Sequence, residues 1–551
     1  MIDQETVGRG RSRPVAELAG RYRRPGPEVL EELRRSPDPT AAQTAAEVAA
    51  RTHLPVAAVH GAATFFADLA PRGARHVRVC TGTSCFAAVG GDPLAACRQA
   101  LAGAADTTVA PVACVGYCYA SPAALDGDRP RAGADLRDQL RAASIREPAP
   151  IPVYSDVVDP VLLARLVAGE EPWGVWPEVV AGARPGDVRA EVDRAGLRGR
   201  GGAGFPTARK WELAAATPGS AYVVGNGDEG DPGSFVDRLL MEQDPERILE
   251  GLALAAFACG AEQAYVYVRS EYPTARDRLR AAIAQAQRAG HLGDDVHGSG
   301  RRLRVEVVEG AGSYVAGEET ALLHSMEGMR AAVSARPPYP SESGLYGHPT
   351  VVNNVETLAA VPWILRRGGA AYAARGAPGE TGTKLVSLSS LFRRPGAYEV
   401  ELGTPLRHLV EDLGGGLRQG HVLRAVQIGG PLGGFLSPDD LDLPLLDSAL
   451  TAAGAALGHG SVVALDTRIS GPELLRHVWE FVARESCGTC APCRIGSQRG
   501  LELAERVAAG DPVLATQERL LDVLGAGGLC AFGRSVPAAV RSLLRVYAED
   551  F

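Results

Sequence analysis

The sequence predicts a multidomain α/β protein, because the chain is long and its hydrophobic pattern changes several times along its length. At about 100–200 residues per domain, its 551 residues correspond to about three or four domains. Between residues 159 and 369, short apolar strands alternate with glycine-rich loops and helices, as in a layered α/β domain. The segments on either side are predicted to be mainly helical or mainly β.

Composition and charge exclude several classes of function. Hydrophobic residues make up 46% of the chain and the net charge is −8, whereas a nucleic-acid-binding protein usually carries a basic face. The sequence has no run of about 18 apolar residues and no signal-peptide pattern, so we expect no direct membrane insertion. A cytoplasmic location follows, either free or at the inner face of the membrane through a partner. Thiols stay reduced there, so the ten cysteines are expected to be metal ligands, catalytic thiols or core residues.

The first 145 residues are predicted to form short helices followed by a small α/β unit. Apolar residues recur every three or four positions over residues 28–35 and 40–51, which predicts two amphipathic helices. Residues 76–80 and 108–113 are apolar enough and short enough to be strands.

Two changes in pattern divide the rest of the chain. Prolines concentrated near Pro150 predict an extended linker over residues 146–158, because proline fixes φ and lacks a backbone N–H. Residues 382–466 carry strand-like runs separated by turns, which predicts a small β-rich domain. Residues 471–551 are again helical and contain four cysteines. No internal repeat is visible.

Two groups account for eight of the ten cysteines. The first cysteine group pairs Cys80 with Cys85 and Cys114 with Cys118. Four thiolates in two close pairs can hold zinc or an iron–sulfur cluster, and nearby glycines allow backbone N–H groups to point at sulfur. We favour a cluster, because zinc ribbons usually have two-residue gaps and these gaps are longer. Structural zinc and unliganded thiols are the alternatives.

The second cysteine group consists of Cys487, Cys490 and Cys493 with the more distant Cys530. Three cysteines at two-residue gaps plus a remote fourth are a common ligand set for a [4Fe–4S] cluster, with zinc as the alternative. The histidines show no ligand pairing, and none is assigned to chemistry. Two cysteines in alanine-rich helical stretches are predicted to be buried core residues: Cys97 and Cys259.

A stretch dense in glycine and cations, residues 196–211, leads into a predicted helix over residues 208–216. Glycine lets the backbone approach a phosphate, and a helix N-terminus favours its negative charge. No apolar strand directly precedes this stretch, so it is not the dinucleotide fingerprint of a Rossmann unit. A mobile surface loop is the alternative interpretation.

Three further polar loops are candidates for ligand binding. Residues 226–234 follow a predicted strand, and strand ends are where α/β domains bind ligands; a calcium-like acidic turn is the alternative. Residues 314–319 place two adjacent carboxylates at a helix N-terminus, where they suit the helix dipole and could also bind ribose hydroxyls. Residues 350–357 form another polar turn. Together with the two cysteine groups, these loops predict a flavin and nucleotide site connected to iron–sulfur centres.

These motifs resemble, in order, those of the NADH-binding flavoprotein subunit of complex I and its relatives in NAD-linked formate dehydrogenases and hydrogenases. The resemblance covers residues 159–551. It rests on five motifs, at residues 196–211, 226–238, 314–322, 353–358 and 485–496. The first 145 residues resemble the thioredoxin-like [2Fe–2S] subunit of the same complexes. The chain therefore resembles a fusion of two subunits that are often separate.

The resemblance implies four folded parts. They are a helical plus thioredoxin-like [2Fe–2S] domain (1–145), an FMN- and NADH-binding α/β domain (159–369), a ubiquitin-like β domain of the soluble-ligand-binding type (382–466) and a helical [4Fe–4S] bundle (471–551). The implied [2Fe–2S] ligands are Cys80, Cys85, Cys114 and Cys118. The implied [4Fe–4S] ligands are Cys487, Cys490, Cys493 and Cys530.

The resemblance also assigns cofactor-binding residues. FMN is expected among the residues Gly199, Gly201, Gly202, Gly204, Lys210, Asn226, Asp228, Glu229, Asn353 and Asn354. NADH is expected to stack on the flavin beside Phe205, with nucleotide hydroxyls near Gly317, Glu318 and Glu319. The residues expected closest to the reaction are Asp231, Tyr314 and Glu318, although no side chain needs to act as a nucleophile or acid–base catalyst.

The implied activity is hydride transfer between NAD(H) and FMN, with single electrons passing through the clusters to or from a separate subunit. That partner is expected to be the molybdenum-containing large subunit of a formate dehydrogenase, a hydrogenase subunit or a peripheral-arm subunit of complex I. The fusion and Asp231, which stands where the complex I subunit usually has Glu, favour formate dehydrogenase and NAD-reducing hydrogenase over complex I, and we place an NAD-dependent formate dehydrogenase first. NAD-reducing hydrogenase and complex I are the alternatives. A structural subunit with an empty flavin site is an alternative of another class.

Overall fold

Three short helices open the part of the chain that the computed structural model describes, residues 27–143 and 145–551. They are α1 (Pro27–Arg35), α2 (Ala42–Thr52) and α3 (Val56–Ala63), and the first two confirm the predicted amphipathic helices. Their apolar faces pack on the central domain: Val29 and Val48 share a core with Val224 and Val308. The first 26 residues of the predicted N-terminal domain lie outside the described residues.

A four-stranded sheet follows, in the order β2-β1-β3-β4. Its strands are β1 (Arg75–Cys80), β2 (Thr107–Val112), β3 (Ala123–Asp126) and β4 (Arg129–Ala132). The helices of this unit are α4 (Thr83–Val89), α5 (Pro93–Ala100) and α6 (Leu136–Arg141). The predicted strands at 76–80 and 108–113 are confirmed as β1 and β2, which are parallel. Cys97, on α5, is buried against Val77 and Val79 of β1, as predicted.

The central domain is built on a fully parallel sheet in the order β8-β7-β6-β9. After the short strand β5 (Val153–Ser155), its strands are β6 (Tyr222–Gly227), β7 (Gln263–Val268), β8 (Arg304–Glu309) and β9 (Thr350–Asn354). Its helices are α7 (Ala164–Ala168), α8 (Trp176–Gly182), α9 (Pro185–Ala195), α10 (Thr207–Ala216), α11 (Val236–Gln243), α12 (Pro245–Cys259), α13 (Pro273–Arg288), α14 (Glu319–Met326), α15 (Pro340–Ser343), α16 (Val355–Arg367) and α17 (Gly369–Ala373).

Both faces of the central sheet are covered, as is usual for parallel strands. Successive side chains of a strand point to opposite faces. In β6, Val223 belongs to the core formed with the helices of the central domain, while Val224 faces α1–α3. Because all four strands run in the same direction, the loops that follow β6, β8 and β9 meet at one edge of the sheet.

A six-stranded sheet forms the β-rich domain, in the order β15-β14-β16-β12-β13-β5. After the hairpin β10 (Gly376–Ala377) and β11 (Glu380–Thr381), its strands are β12 (Thr383–Leu388), β13 (Gly396–Glu401), β14 (Leu423–Ile428), β15 (Gly434–Leu436) and β16 (Ser461–Asp466), with helix α18 (Asp447–Ala452). β5 comes from the segment predicted as a linker. That segment is extended, and it also adds an edge strand that pairs in parallel with β13.

Four helices complete the chain: α19 (Gly471–Glu485), α20 (Ala491–Ala508), α21 (Leu514–Gly527) and α22 (Ala531–Val546). They share a core with the β-rich domain, in which Leu474 and Val540 lie with Val426 and Leu465. Among residues 27–143 and 145–551, no helix is both long enough and apolar enough to cross a membrane.

Buried charged side chains connect the β-rich domain to the central domain. Glu399 on β13 accepts hydrogen bonds from the backbone N–H groups of residues 161–163 at 2.8–2.9 Å. Lys384 on β12 pairs with Glu356 on α16, and both side chains are fully buried. A buried charge without its partner is costly, so these contacts fix the relative position of the two domains.

Candidate functional site

Three of the four polar loops meet at the carboxyl edge of the central sheet. The acidic loop (residues 226–234) begins at the end of β6, the turn Tyr314–Gly317 follows β8, and Asn354 ends β9. The Asn226 side-chain amide donates to the carbonyl oxygen of Gly317 at 2.9 Å. The Asn354 side-chain N–H donates to the Asn226 carbonyl oxygen at 3.5 Å. The side-chain oxygen of Asn354 accepts from the backbone N–H of Glu356 at 2.9 Å and so caps α16.

The fourth loop, the glycine-rich loop (residues 196–206), lies across the end of β9. The Arg200 N–H donates to the Thr357 hydroxyl at 2.8 Å. A Cβ atom on Gly201 would lie only 3.0 Å from Cβ of Asn354. Gly202 has φ +100°, which disfavours a side chain, and it faces Gly458 of the β-rich domain. The backbone can therefore approach a ligand closely here.

The base of this loop is closed by backbone contacts, with the Gly199 N–H donating to the Phe205 carbonyl oxygen at 2.9 Å. Gly204 also has a positive φ, +59°. The Phe205 side chain is 44% exposed, so its ring is accessible at the mouth of the site. Helix α10 follows at once, which confirms the helix predicted over residues 208–216.

Lys210 on α10 brings a cation into the site. Its Nζ atom donates to the Val352 carbonyl oxygen and to Glu319, both at 3.0 Å. Trp211, the next residue, donates from its ring N–H to the buried side-chain oxygen of Asn353 at 2.8 Å. Asn353 thus has its oxygen occupied within the protein, whereas Lys210 is partly exposed toward the site.

The adjacent carboxylates Glu318 and Glu319 lie at the N-terminus of α14, as predicted. Glu318 accepts from the backbone N–H groups of Thr320 and Ala321 at 2.9 and 3.1 Å, which makes it the helix cap. Arg336 contacts Glu318 and lies 2.9 Å from Glu319. This ion-paired cluster borders the turn Tyr314–Gly317, and Gly317 lies against Asp228.

The two carboxylates in the middle of the acidic loop, Asp228 and Glu229, differ in their hydrogen-bond partners. Asp228 is buried, and its Oδ2 atom has no hydrogen-bond partner among the described residues. Burial raises its pKa to about 8. Glu229 is fully buried, and its carboxylate accepts from Ser234, Asp237 and Arg238 within the protein. Burial, followed by the charge of Asp237, raises the pKa of Glu229 to about 7.

These features fit a bound cofactor with hydroxyl or N–H donors. Asp228 offers an unpaired buried acceptor, and such groups are costly unless a ligand or water satisfies them. Gly201 and Gly202 of the glycine-rich loop offer a stretch of backbone without Cβ atoms. The Glu229 side chain is directed away from that surface, although the sequence placed it among the cofactor-binding residues.

Asp231, near the end of the acidic loop, contacts Tyr314 of the turn that follows β8. The Tyr314 hydroxyl donates to Asp231 at 2.6 Å, and burial, then the Asp231 charge, raise the pKa of Tyr314. The Tyr314 ring packs edge-on against Phe481 at 5.0 Å and near Phe532 at 5.7 Å, both from the C-terminal helices.

His459, which the sequence analysis did not assign to chemistry, also reaches the site. It comes from the loop before β16 and lies 3.1 Å from Asp231 and 3.2 Å from Asp237. Nothing in its local pattern marks a ligand, because its partners come from another domain. A histidine between two glycines, Gly458 and Gly460, is the feature of the sequence that could have drawn attention to it.

The first cysteine group gathers at the ends of β1 and β2. All four sulfur-bearing residues are at most 2% exposed. The Sγ atoms of Cys114 and Cys118 are 3.6 Å apart. Hydrogen bonds from Cys118 and Cys80 lower the pKa of Cys114, while hydrogen bonds with Cys114 and Cys85 raise that of Cys80. The four thiols therefore form one interacting set.

The second cysteine group lies at helix N-termini. Cys490 is the N-terminal cap of α20, Cys493 lies in its first turn and Cys530 caps α22. Burial raises the pKa of Cys493 to about 11. Burial also raises the pKa of Cys530, although hydrogen bonds from the backbone N–H groups of Gly533 and Phe532 act in the opposite direction and lower it. Such N–H groups favour thiolates and the charge of a cluster.

Direct contacts connect the site formed by the four polar loops to both cysteine groups. Pro232, in the acidic loop, lies against Gly82, which is between Cys80 and Cys85: a Cβ atom on Gly82 would lie only 2.7 Å from Cβ of Pro232. Arg269 donates to the carbonyl oxygens of Glu229 at 2.5 Å and Cys114 at 2.9 Å. On the other side, the Tyr314 N–H donates at 3.0 Å to Glu485, two residues before Cys487. Both groups are thus connected to the site through direct contacts.

Four sequence-family models match consecutive parts of the chain. They are the thioredoxin-like [2Fe–2S] ferredoxin at residues 27–135, the Nuo51 FMN-binding domain at 192–363, the SLBB domain at 393–436 and the NADH-ubiquinone oxidoreductase-F iron–sulfur binding region at 473–551. Each cysteine group falls inside a model of an iron–sulfur domain, so the zinc alternatives are not supported.

Individual relatives agree with these matches. The chain is 42% identical over 372 residues to an F-type subunit of NADH-quinone oxidoreductase from Rhizobium meliloti, covering 67% of this chain and 88% of that protein. It is 40% identical over 371 residues to NADP-reducing hydrogenase subunit HndC of Solidesulfovibrio fructosivorans, covering 67% and 76%. A crystal structure of an NAD⁺-reducing [NiFe]-hydrogenase in the H₂-reduced state matches 96% of this chain and 93% of its own, with a TM-score of 0.85 and 32% identity.

The predicted fold class and the resemblance to two fused subunits are confirmed by these matches. The predicted cofactors, namely FMN, NAD(H) and one cluster of each kind, are confirmed as well. The chain belongs to the family of NADH-binding flavoprotein subunits of complex I and NAD-reducing hydrogenases, fused to a thioredoxin-like [2Fe–2S] domain, and it is an NAD(H)-dependent flavin and iron–sulfur oxidoreductase.

Proposed function

We propose that this chain is the diaphorase subunit of a cytoplasmic NAD-linked complex, in which it exchanges electrons between NAD(H) and a separate redox subunit. The observation that supports this most directly is the position of the site between the two cysteine groups. In the acidic loop, Pro232 lies against Gly82 in the segment that carries Cys80 and Cys85, and Tyr314 contacts the segment that carries the second group. FMN, when bound, supplies the exchange between a two-electron hydride and single electrons.

The residues proposed to hold FMN are those that border the glycine-lined surface. Asp228 supplies an unpaired acceptor, Asn226 and Asn354 supply amides at the strand ends, and Lys210 supplies positive charge. Gly201 and Gly202 leave room for the cofactor. These residues orient the cofactor, and the buried surroundings of the acidic loop exclude water from it.

NADH is proposed to enter beside Phe205, whose ring is exposed at the mouth of the site. Glu318 and Glu319 lie at the edge of the same opening, where Arg336 offsets their charge. Asp231 and Tyr314 are proposed to hold the acidic loop in place through their hydrogen bond. None of these side chains has to accept or donate a proton for hydride transfer.

The partner is proposed to be a subunit that oxidises a small substrate, either hydrogen or formate. The matching hydrogenase chain contains the same fused arrangement along nearly its whole length, which supports a hydrogenase-type partner. Formate dehydrogenase is the second candidate: Asp231, in place of the Glu usual in complex I, favours both candidates over complex I and does not distinguish between them.

Anaerobic purification from the native host, with identification of the co-purifying partner, tests this proposal. We expect bound FMN, iron–sulfur clusters and NAD⁺ reduction by hydrogen or by formate, and the active substrate identifies the partner. Recovery of membrane subunits with neither activity would contradict the proposed partner and return the chain to complex I. Protein that is folded and cluster-loaded but lacks flavin would contradict the diaphorase function itself.

A further inference from the structure

His459 joins two carboxylates that belong to a different domain. Its Nδ1 atom is 3.1 Å from Asp231 in the acidic loop, and its Nε2 atom is 3.2 Å from Asp237 on α11. The side chain is only 12% exposed, so it is held within the site and not at the protein surface. Each ring nitrogen therefore has an acidic partner.

The carboxylates that contact His459 are those of Asp231 and Asp237, one at each ring nitrogen. Burial raises the pKa values of the neighbouring Asp228 and Glu229 to about 8 and about 7. Burial alone would lower the pKa of His459, but its hydrogen bonds to Asp231 and Asp237 outweigh burial and raise the pKa well above the usual value. The ring is therefore an imidazolium at neutral pH.

The other nearby cations have partners of their own. Lys210 pairs with Glu319, and Arg269 pairs with Glu271 at 2.8 Å. Lys384 approaches Gly460 but is paired with Glu356. Among the described residues, His459 is the cation that contacts Asp231 and Asp237 directly.

His459 is also one contact away from the surface proposed to hold FMN. Its Nε2 atom is 3.3 Å from the Asn354 side-chain amide, which donates to Asp237 at 2.6 Å. Asn354 lies directly against Gly201, and Gly458, the residue before His459, lies against Gly202. The imidazolium thus sits behind the glycine-lined surface, next to an amide at the end of β9.

We propose that His459 is a positioning residue of the FMN site that fixes the acidic loop through Asp231 and fixes Asn354 through Asp237, the carboxylate that both side chains contact. We infer that its positive charge stabilises reduced FMN more than oxidised FMN. The proposal rests on the flavin site proposed above. Hydride transfer from NADH adds two electrons and one proton, so the reduced cofactor carries one more negative charge until it takes up a second proton. A cation close to the flavin favours that charge and raises the reduction potential.

The test compares His459→Gln with the wild type, both as full-length protein with clusters in place. His459→Gln retains hydrogen-bonding atoms but removes the charge. FMN dissociation constants are measured for the oxidised and the reduced protein, and the FMN midpoint potential is measured by anaerobic redox titration. We expect affinity for reduced FMN to fall about tenfold more than affinity for oxidised FMN, which for a two-electron couple equals a potential lower by about 30 mV.

His421→Gln is the matched control. His421 contacts the carboxylate of Asp466 in the same β-rich domain, at the opposite end of β16 from His459. This variant also removes a histidine–aspartate contact, so it reports any general effect of disturbing the domain. We expect its FMN affinity and potential to equal those of the wild type.

Two results would overturn the proposal: unchanged affinity and potential in His459→Gln, or an equal loss of affinity in both redox states with an unchanged potential. The second result would reveal a purely structural role. If His459→Gln does not fold, His459→Lys, which retains a positive charge, is compared with His459→Ala for the same potential, and equal potentials contradict the electrostatic role. Wild-type protein without bound FMN would instead contradict the site on which the proposal rests.

Discussion

The two cysteine groups are held by different kinds of structure. In the first group Cys80 ends β1, Cys85 lies in the first turn of α4, and Cys114 and Cys118 follow β2. All four are nearly inaccessible, and the cation of Arg269 comes from the central domain. In the second group Cys490, Cys493 and Cys530 lie at the N-termini of α20 and α22, Cys487 lies in the segment before α20, and Cys490 and Cys530 are partly exposed. A helix N-terminus carries its own N–H donors.

This difference indicates that the two groups meet the central domain in different ways. The first group receives a buried cation, Arg269, from that domain, whereas Cys487 and Cys530 of the second group pack in the apolar core around Val224 and Val308. The second cysteine group, which is partly exposed, lies where a separate subunit could receive electrons. The first cysteine group is buried behind the acidic loop.

Removing one ligand from each group is expected to abolish one cluster and leave the other. Cys530→Ala should remove the [4Fe–4S] cluster, because a cubane needs its remote fourth ligand, while the [2Fe–2S] cluster remains. Cys118→Ala should do the reverse. Iron analysis and EPR spectra of the reduced proteins measure this, and the loss of both clusters in either variant would show that the two groups are not independent.

Removing the buried cation beside the first group is expected to be strongly destabilising. Arg269→Met leaves Glu271 buried without its ion-pair partner, and breaking such a pair costs about 3–5 kcal/mol. The exposed pairs of Arg541 with Glu518 and Asp522 in the C-terminal helices provide the matched control. Arg541→Met is expected to cost about 0–1 kcal/mol. Denaturant titration compares the two, and equal losses would contradict the stabilising role of the buried cation.

Stability of the FMN-free protein is expected to fall as pH rises, because the pKa of Asp228 is raised to about 8 in the folded state. Folded protein then binds a proton that unfolded protein has already lost above about pH 4, its usual pKa range. The contribution is complete below about pH 4 and is lost as pH approaches 8, with a slope of at most about 1.4 kcal/mol per pH unit. Thermal unfolding between pH 5 and 8 should show a flatter dependence in Asp228→Asn; an unchanged slope would assign the proton elsewhere.

The smallest effect is expected from a single hydrogen bond to the second group. The Ser486 hydroxyl lies 3.2 Å from the Cys493 sulfur, and hydrogen bonds to ligand sulfurs tune cluster potentials. Ser486→Ala should lower the [4Fe–4S] potential and cost about 0.5–1.5 kcal/mol in stability, with the [2Fe–2S] potential unchanged. EPR-monitored redox titration measures both potentials, and a shift of the [2Fe–2S] potential would contradict the independence of the two groups.

The features predicted correctly from the sequence are those encoded in neighbouring residues. The spacing of Cys487, Cys490 and Cys493 was sufficient to indicate a cubane, and the apolar run before Asn226 was sufficient to indicate β6. Features created by long-range contacts were missed. His459 meets Asp231 only after the β-rich domain docks, and β5 becomes a strand only because β13 offers it an edge. The inward orientation of the Glu229 carboxylate depends on N–H groups at the start of α11, which the composition of the loop does not reveal.

The packing of α1–α3 on the central sheet has a consequence for assembly. These helices precede the four-stranded sheet in the chain, yet their apolar side chains complete the core around Val224 and Val308. Dividing the chain within residues 146–158 would therefore turn an internal core into an intermolecular interface. Covalent linkage supplies a high effective concentration for that contact, so the fused chain secures one-to-one stoichiometry of its two halves at any level of expression.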